Sequence, residues 1–460
     1  MDRADAPVAA IEPAAALAEG ISAIRYSALP PATVAATTRL ILDSLAVALA
    51  GRGGDDVRAV AALAEDWGGK PEASVLGTRL RVPATSAALV NGTMIQALDF
   101  DDTHDRTAAH VASTVLAAAL AACEARRRSG QALVAAVAAG VEAGVRVGLA
   151  CRTNIGWTST AIYGAFGATA AAAHALGLDA QRTHHAFGIV LSQAAGSTQT
   201  AVDWPLSKHM QSGFAAKAGV LSALLAERGV TGIRNVFAGR FGFFRLYKPE
   251  GHDPAPIFAP WGDRWHVDEL SLKPYTSCRA THAPIDAARA LAAGFDADGT
   301  AEVCVTVPPV SHQLAGKPFD EGDNPVISAQ FSIAYTVATA LLRRTVSLAH
   351  FRLDAIRDPR VRALAGRVRV AIGEGGDFAP ARVELVDRAG CTRAVVAEAL
   401  KGDPATPLDD AELREKVRDC LAYAPAGGAP LEAGDLWRLV ESLPAMDDAG
   451  ALCAALAPRG

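Results

Sequence analysis

From about residue 21 to residue 229, apolar residues recur in stretches of ten to twenty positions, cut by Gly, Pro and charged punctuation, and β-branched residues seldom alternate. Runs of that length without a two-residue period predict helix after helix. The clearest are 35–50, 84–98, 114–127, 131–149, 159–176 and 208–228. Ala and Gly dominate them, so helix axes can approach closely and a compact all-helical body is expected.

Past an aromatic and Pro-rich segment, 237–265, the texture changes. Val303, Val305 and Val307 alternate with other residues, as do Val368, Val370 and Ile372. A third run starts at Val383 and Leu385, turns at Asp387 to Gly390 and returns through Val395. Alternation of this kind predicts strands and a hairpin. Between them 328–342 and 348–364 read as helices, so 272–400 forms an α+β unit distinct from the body. After Pro407, helical spacing resumes over 409–422 and 431–443. Periodicity alone leaves open whether these last helices rejoin the body.

Composition narrows the classes. The chain has 460 residues, half of them apolar, enough for two or three packed domains. A net charge of -5, from 44 basic and 49 acidic residues, supplies no basic field for nucleic acid or an anionic membrane surface. Neither is an expected partner, and any polyanion site must be local. The first residues, Met1 to Asp5, mix acidic and basic groups ahead of no signal-type apolar run, so a cytoplasmic protein is expected. The most lipid-like stretch, 161–178, holds Thr169 and His174 and reads as a buried helix. The seven cysteines are scattered, with no CxxC pair and no zinc-finger spacing, which reads as reduced thiols.

Four clusters carry candidate chemistry. Asp99-Phe100-Asp101-Asp102-Thr103-His104, followed by His110 and Ser113, crowds carboxylates and imidazoles just past a helix, the setting for general acid–base work. The same residues also read as caps for the next helix. Asp203-Trp204-Pro205-Leu206-Ser207-Lys208-His209 puts a lysine at the positive end of a helix, where an ammonium is disfavoured. That marks a functional amine or carboxylate anchor, or a lysine reaching water beside Asp203. The seam segment from Leu272 to Asp286 holds Lys273, Arg279 and His282, which together can neutralise carboxylates; it also reads as a linker in which Thr281 caps a helix and Cys278 is an inert buried thiol. Gly156-Trp157-Thr158-Ser159-Thr160 offers amides and hydroxyls for an anion, or a plain N-cap at Thr158 or Ser159. No phosphate loop of the GxxxxGK[ST] kind and no GxSxG elbow is present.

In order along the chain, LDFDDTH at 98–104, GWTST at 156–160, the segment 208–219 ending in GxAAxxG, and KPYTSCRATHAPIDAA from Lys273 resemble the MmgE/PrpD family. The likeness covers about 42–342. That family includes 2-methylcitrate dehydratase, cis-aconitate decarboxylase and iminodisuccinate epimerase. The resemblance implies a mostly α fold: a large all-helical domain from 1–270 and 404–460, and a smaller α+β lid domain over 271–403. It further implies a homodimer, no metal and no organic cofactor. By the family's motifs, Asp99, His110, Lys208 and Tyr335 are the catalytic candidates, with Thr103, Thr158, Lys273, Cys278 and His282 around the substrate. One departure stands out: many members carry histidine where this chain has Thr158, and Gln96 also stands where histidine is frequent. The implied activity is that of a lyase on a small di- or tricarboxylate, by proton abstraction next to a carboxylate, first as a dehydratase of 2-methylcitrate or aconitate type. Alternatives are an epimerase or racemase of an iminodisuccinate-like acid, consistent with Thr158, and a cis-aconitate-type decarboxylase.

Overall fold

The computed structural model describes residues 12–151, 156–262, 264–376, 378–428 and 431–458. Six helices build the body where the apolar periodicity predicts them: α1 (Pro31–Gly51), α2 (Ala84–Gln96), α3 (Val111–Ala125), α4 (Gly130–Leu149), α5 (Ser159–Leu176) and α6 (Ser207–Glu227). α5 sits between α3, α4 and α6, and α6 also lies along α2. Close contact of α6 with α2 depends on Gly213, where an added Cβ would lie 2.2 Å from the Leu89 carbonyl oxygen. Any side chain there would push the helices apart and move Lys208 away from the loop that follows α2. α1 and α4 are long and apolar enough to cross a bilayer, but 72% and 89% of their apolar windows are buried inside the body. They are core helices of this fold. The 161–178 stretch falls in α5, which is buried nearly throughout.

The second unit contains α7 (His282–Leu291), β1 (Thr300–Val307), α8 (Ile333–Arg343), β2 (Val368–Ile372), β3 (Ala381–Asp387) and β4 (Thr392–Ala397). Its four strands lie in the order β2-β1-β3-β4. Val305 is opposite Val370 in the parallel β1–β2 pair and opposite Val383 in the antiparallel β1–β3 pair. Val303, Val305 and Val307 all point to the buried face beneath α7 and α8, which is what their two-residue spacing predicts. The β3–β4 turn forms where the sequence places it, with the Asp387 side chain accepting the N–H groups of Ala389 and Cys391.

Two helices differ from expectation. The 328–342 run breaks into Pro325–Gln330 and α8, because the Ser332 hydroxyl accepts the Tyr335 N–H at 3.1 Å and starts a new helix. The break frees Phe331 to face the domain seam. The 348–364 run splits into three short turns, Leu348–Phe351, Leu353–Ile356 and Pro359–Ala365. Pro359 cannot donate to a preceding turn and disfavours helical backbone at Asp358, whose side chain instead caps the last piece.

The C-terminal helices rejoin the body. Asp409 caps α9 (Asp410–Tyr423) in a reciprocal box with Glu412, and α9 packs on α1. Apolar side chains accordingly form two cores. One combines residues 14–270 with 408–456 and takes in Leu348; the other lies wholly within 275–400. The two chain passages between them run side by side, the Leu272 N–H donating to the Gly402 carbonyl at 2.9 Å.

Candidate active site

The loop between α2 and α3 is held from both units. Lys416 of α9 donates to the Phe100 carbonyl at 2.9 Å and pairs with the buried Asp43 carboxylate at 2.6 Å. From the other side, Thr276 and Gln330 donate to the Leu98 carbonyl at 2.6 and 2.8 Å. Thr103 pairs with Ser271 through two backbone hydrogen bonds of 2.9 and 2.8 Å. Loops are ordinarily the mobile part of a fold, and this one is tied to scaffold along its length.

Asp99 is the centre of that loop. Its backbone is left-handed, with φ of 51°, a conformation costly for a residue with a Cβ. The residue is 2% exposed, and its side chain meets two ammonium groups and an imidazole. Lys273 Nζ donates to the Asp99 carbonyl at 2.7 Å and to Oδ1 at 3.1 Å; Lys208 Nζ lies 3.5 Å from Oδ2; His110 Nε2 lies 3.8 Å from Oδ1. Burial pushes the Asp99 carboxyl up, but Lys208, Lys273 and His110 together outweigh it and hold the group well below the usual carboxylate range. Asp99 is therefore the anion that gathers the cations of the site. Lys208 stands in the first turn of α6, as the sequence places it, and its ammonium also lies 5.1 Å from the centre of the Phe331 ring.

His110 precedes α3, and its Nδ1 lies 3.1 Å from Asp101 Oδ1. A carboxylate only accepts, so the hydrogen of that contact sits on Nδ1, and the ring's other nitrogen, Nε2, faces Asp99 at the cavity wall. Asp102 serves differently: it accepts the N–H groups of Val111 and Ala112 at 3.2 and 2.9 Å, capping α3 through its side chain. Burial first, and then the neighbouring Asp101 charge, push the Asp102 carboxyl up to about 7. Asp99, Asp101 and His110 have the spacing of a metal cluster, but two ammonium groups already neutralise Asp99.

These groups open into a cavity of about 480 Å³ between the two units. Seven of the nine residues singled out from sequence line it: Asp99, Thr103, His110, Thr158, Lys208, Lys273 and Cys278. Thr158 takes the N-cap position of α5 without capping it, and among the described residues its Oγ1 has no hydrogen-bond partner. Cys278 is buried, and burial followed by the nearby Asp99 charge pushes its thiol up to about 11, so it is a thiol rather than a nucleophile at neutral pH. The other two residues lie outside the lining. His282 is fully buried behind it, accepting from the Arg279 guanidinium at 3.2 Å through Nδ1 and donating to the Ser277 carbonyl at 3.2 Å through Nε2. It orients Arg279, which does reach the cavity. Tyr335 lies in the core of the second unit between Phe319 and Phe351, its hydroxyl donating to the His350 carbonyl.

Four further residues contribute that were not among the nine. Arg106, Gln211 and Phe331 line the cavity, and Asp101 holds His110. Arg106 sits inside the first cluster, where its charge was the available clue. Gln211 and Phe331 are visible only once α6 is in place and the 328–342 helix has broken.

Residues 15–253 match the model of the MmgE/PrpD N-terminal domain and residues 275–428 that of the MmgE/PrpD C-terminal domain. The chain belongs to the MmgE/PrpD family. Among characterised relatives it is similar to the cis-aconitate decarboxylase-like protein oryM of Aspergillus oryzae, with 28% identity over 434 residues, 88% of this chain and 89% of that one. It is also similar to the cis-aconitate decarboxylase of Mus musculus, 26% identical over 425 residues covering 86% and 84% of the two chains. The cis-aconitate decarboxylase of Aspergillus terreus matches at 27% identity over 327 residues, 66% of each chain.

Proposed function

We propose that this chain is a lyase that removes a proton beside a carboxylate of a small di- or tricarboxylic acid and expels water, as a 2-methylcitrate- or aconitate-type dehydratase does. The observation that carries the reading is the gathering of Lys208, Lys273 and His110 on one buried carboxylate, Asp99, at the wall of a cavity between two domains. Lys273, Arg279 and Thr103 hold substrate carboxylates, and withdrawal of charge into those cations acidifies the neighbouring C–H bond. His110 Nε2 accepts the proton while Asp101 steadies the imidazolium that forms. The Lys208 ammonium gives its proton to the departing hydroxyl, so the C–O bond breaks to water as the carbon–carbon double bond forms.

A second reading, loss of carbon dioxide, is favoured by the relatives just described, two named cis-aconitate decarboxylase and one cis-aconitate decarboxylase-like protein. There the same cations stabilise the carbanion left by the departing carboxylate, and an acid protonates it. Both readings are separated by incubating the protein with 2-methylcitrate, citrate, cis-aconitate and iminodisuccinate. Absorbance of a new conjugated double bond supports the dehydratase, and released carbon dioxide supports the decarboxylase. Deuterium uptake at the α-carbon with neither product reassigns the chain as an epimerase. Silence in all three assays across the panel rejects polycarboxylate chemistry at this site.

A further inference from the structure

One cation of the cavity lining has no counter-charge. Four side chains with a fixed positive charge line the space between the two units: Arg106, Lys208, Lys273 and Arg279. Lys208 and Lys273 share the Asp99 carboxylate, and the Arg279 guanidinium lies 3.2 Å from Asp105 Oδ2. Arg106 is exposed, and among the described residues its guanidinium pairs with no carboxylate and makes no hydrogen bond.

The turn that carries Arg106 is pinned on both sides of it. The His104 N–H donates to the Ala109 carbonyl at 2.9 Å and closes the turn, and the Thr107 N–H donates back to the His104 carbonyl at 3.1 Å. Asp105, just before Arg106, accepts from the Ser271 hydroxyl at 2.7 Å as well as from Arg279. Thr107, just after it, is 6% exposed and packs on α4, where a Cβ added at Gly148 would lie 2.7 Å from Thr107 Cγ2. Ala108 completes the turn with φ of 50°, a left-handed conformation that costs an alanine free energy and persists only where its surroundings impose it. Both neighbours of Arg106 are thus committed to scaffold, and the guanidinium between them is held at the cavity with its donors unused.

The rest of the lining offers a carboxylate few other partners. Among the described residues, the lining groups from Trp157 to Ala201, Thr158 included, carry no charge. An acid held through one carboxylate at Lys273 therefore meets Arg106 as the remaining uncommitted cation. A guanidinium suits the task, because its planar fork matches a carboxylate with two parallel hydrogen bonds.

We propose that Arg106 is a specificity-determining residue that binds a second carboxylate of the substrate, one not held by Lys273. The site then admits acids with at least two carboxylates and discriminates against monocarboxylates, which forgo that pairing. The assignment rests on the reading of this cavity as a polycarboxylate site and names the residue that selects by charge number.

Tricarballylate has three carboxylates and no hydroxyl to eliminate, so it reports binding apart from turnover when titrated calorimetrically beside its central and terminal monoamides. Arg106→Gln should weaken tricarballylate by about 10–100-fold. In the unmodified protein one of the monoamides should bind about as weakly as tricarballylate binds the variant. Arg106→Gln should weaken that monoamide no further, because both changes remove the same pair. A crystal structure of the unmodified protein with tricarballylate should place a carboxylate within about 3.2 Å of the Arg106 guanidinium, a readout that depends on no variant. Equal affinity for tricarballylate in parent and variant, equal losses for all three acids, or a bound ligand out of reach of Arg106 overturns the proposal and leaves the polycarboxylate reading in place. Binding through Arg106 without turnover of any polycarboxylate leaves Arg106 standing and removes only the proposed reaction. If none of the three acids binds, the proposal falls, and turnover of 2-methylcitrate, citrate or cis-aconitate decides the reading separately.

Discussion

At the residue scale, the site is an exercise in charge balance around Asp99. Its carboxylate is kept ionised by Lys208, Lys273 and His110 against the opposing effect of burial. His110 is the group to which the proposed reaction assigns the proton. Replacing it with Gln should lower kcat by about 10²–10⁴-fold while leaving the thermal midpoint near that of the parent, measured by steady-state turnover alongside calorimetry. Lys416 makes the complementary case. It is 2% exposed at its side chain, paired with a fully buried Asp43, and Lys416→Met should cost about 3–5 kcal/mol by urea unfolding, because it strands Asp43 without a counter-charge. Seven of the nine residues named from sequence line the cavity, and two of them, Asp99 after a helix end and Lys208 at a helix start, are anomalies that a sequence displays. Tyr335 and His282 were not separable from it. Both have chemistry-bearing groups in the right segment, and only packing shows one facing a hydrophobic core and the other backing Arg279.

At the element scale, α3 is the helix whose start depends on ionisation. The Asp102 carboxyl titrates near 7 in the folded chain and at the ordinary carboxylate value once unfolded. The folded protein thus holds a proton that the unfolded chain has released over that interval. The stability this group contributes is whole below about pH 4 and declines as the pH rises toward 7. Asp102→Asn keeps an acceptor for the α3 amides and removes the titration. Relative to the parent, its urea midpoint should gain between pH 5 and pH 8, and equal pH slopes in the two proteins would refute the assignment. β1 was readable because its two-residue alternation matches its buried face, and α5 because an unbroken apolar run of that length suits a helix buried nearly throughout. The 328–342 and 348–364 runs break although their apolar spacing continues across Ser332 and Pro359, because a local cap there outweighs the pattern.

At the scale of the whole molecule, periodicity indicated two kinds of texture but not which pieces share a core. The last helices return to the first because α9 supplies Lys416 and an apolar face against α1, contacts with no local signature. The junction itself is tight. Gly402 has φ of +87°, and a Cβ there would lie 2.0 Å from the Leu272 carbonyl oxygen. Gly402→Ala should therefore destabilise by at least about 2 kcal/mol in chemical denaturation, and a neutral effect would mean the junction is looser than its geometry states.

Because the outgoing and returning strands of backbone touch at Leu272 and Gly402, everything between them behaves as a cassette plugged in at one socket. Its exchange would alter the cavity roof, Arg279 and Phe331 included, while His110 and Lys208 stay where the body puts them. A fold wired this way can reshape the roof of its cavity without rebuilding the wall that carries His110 and Lys208.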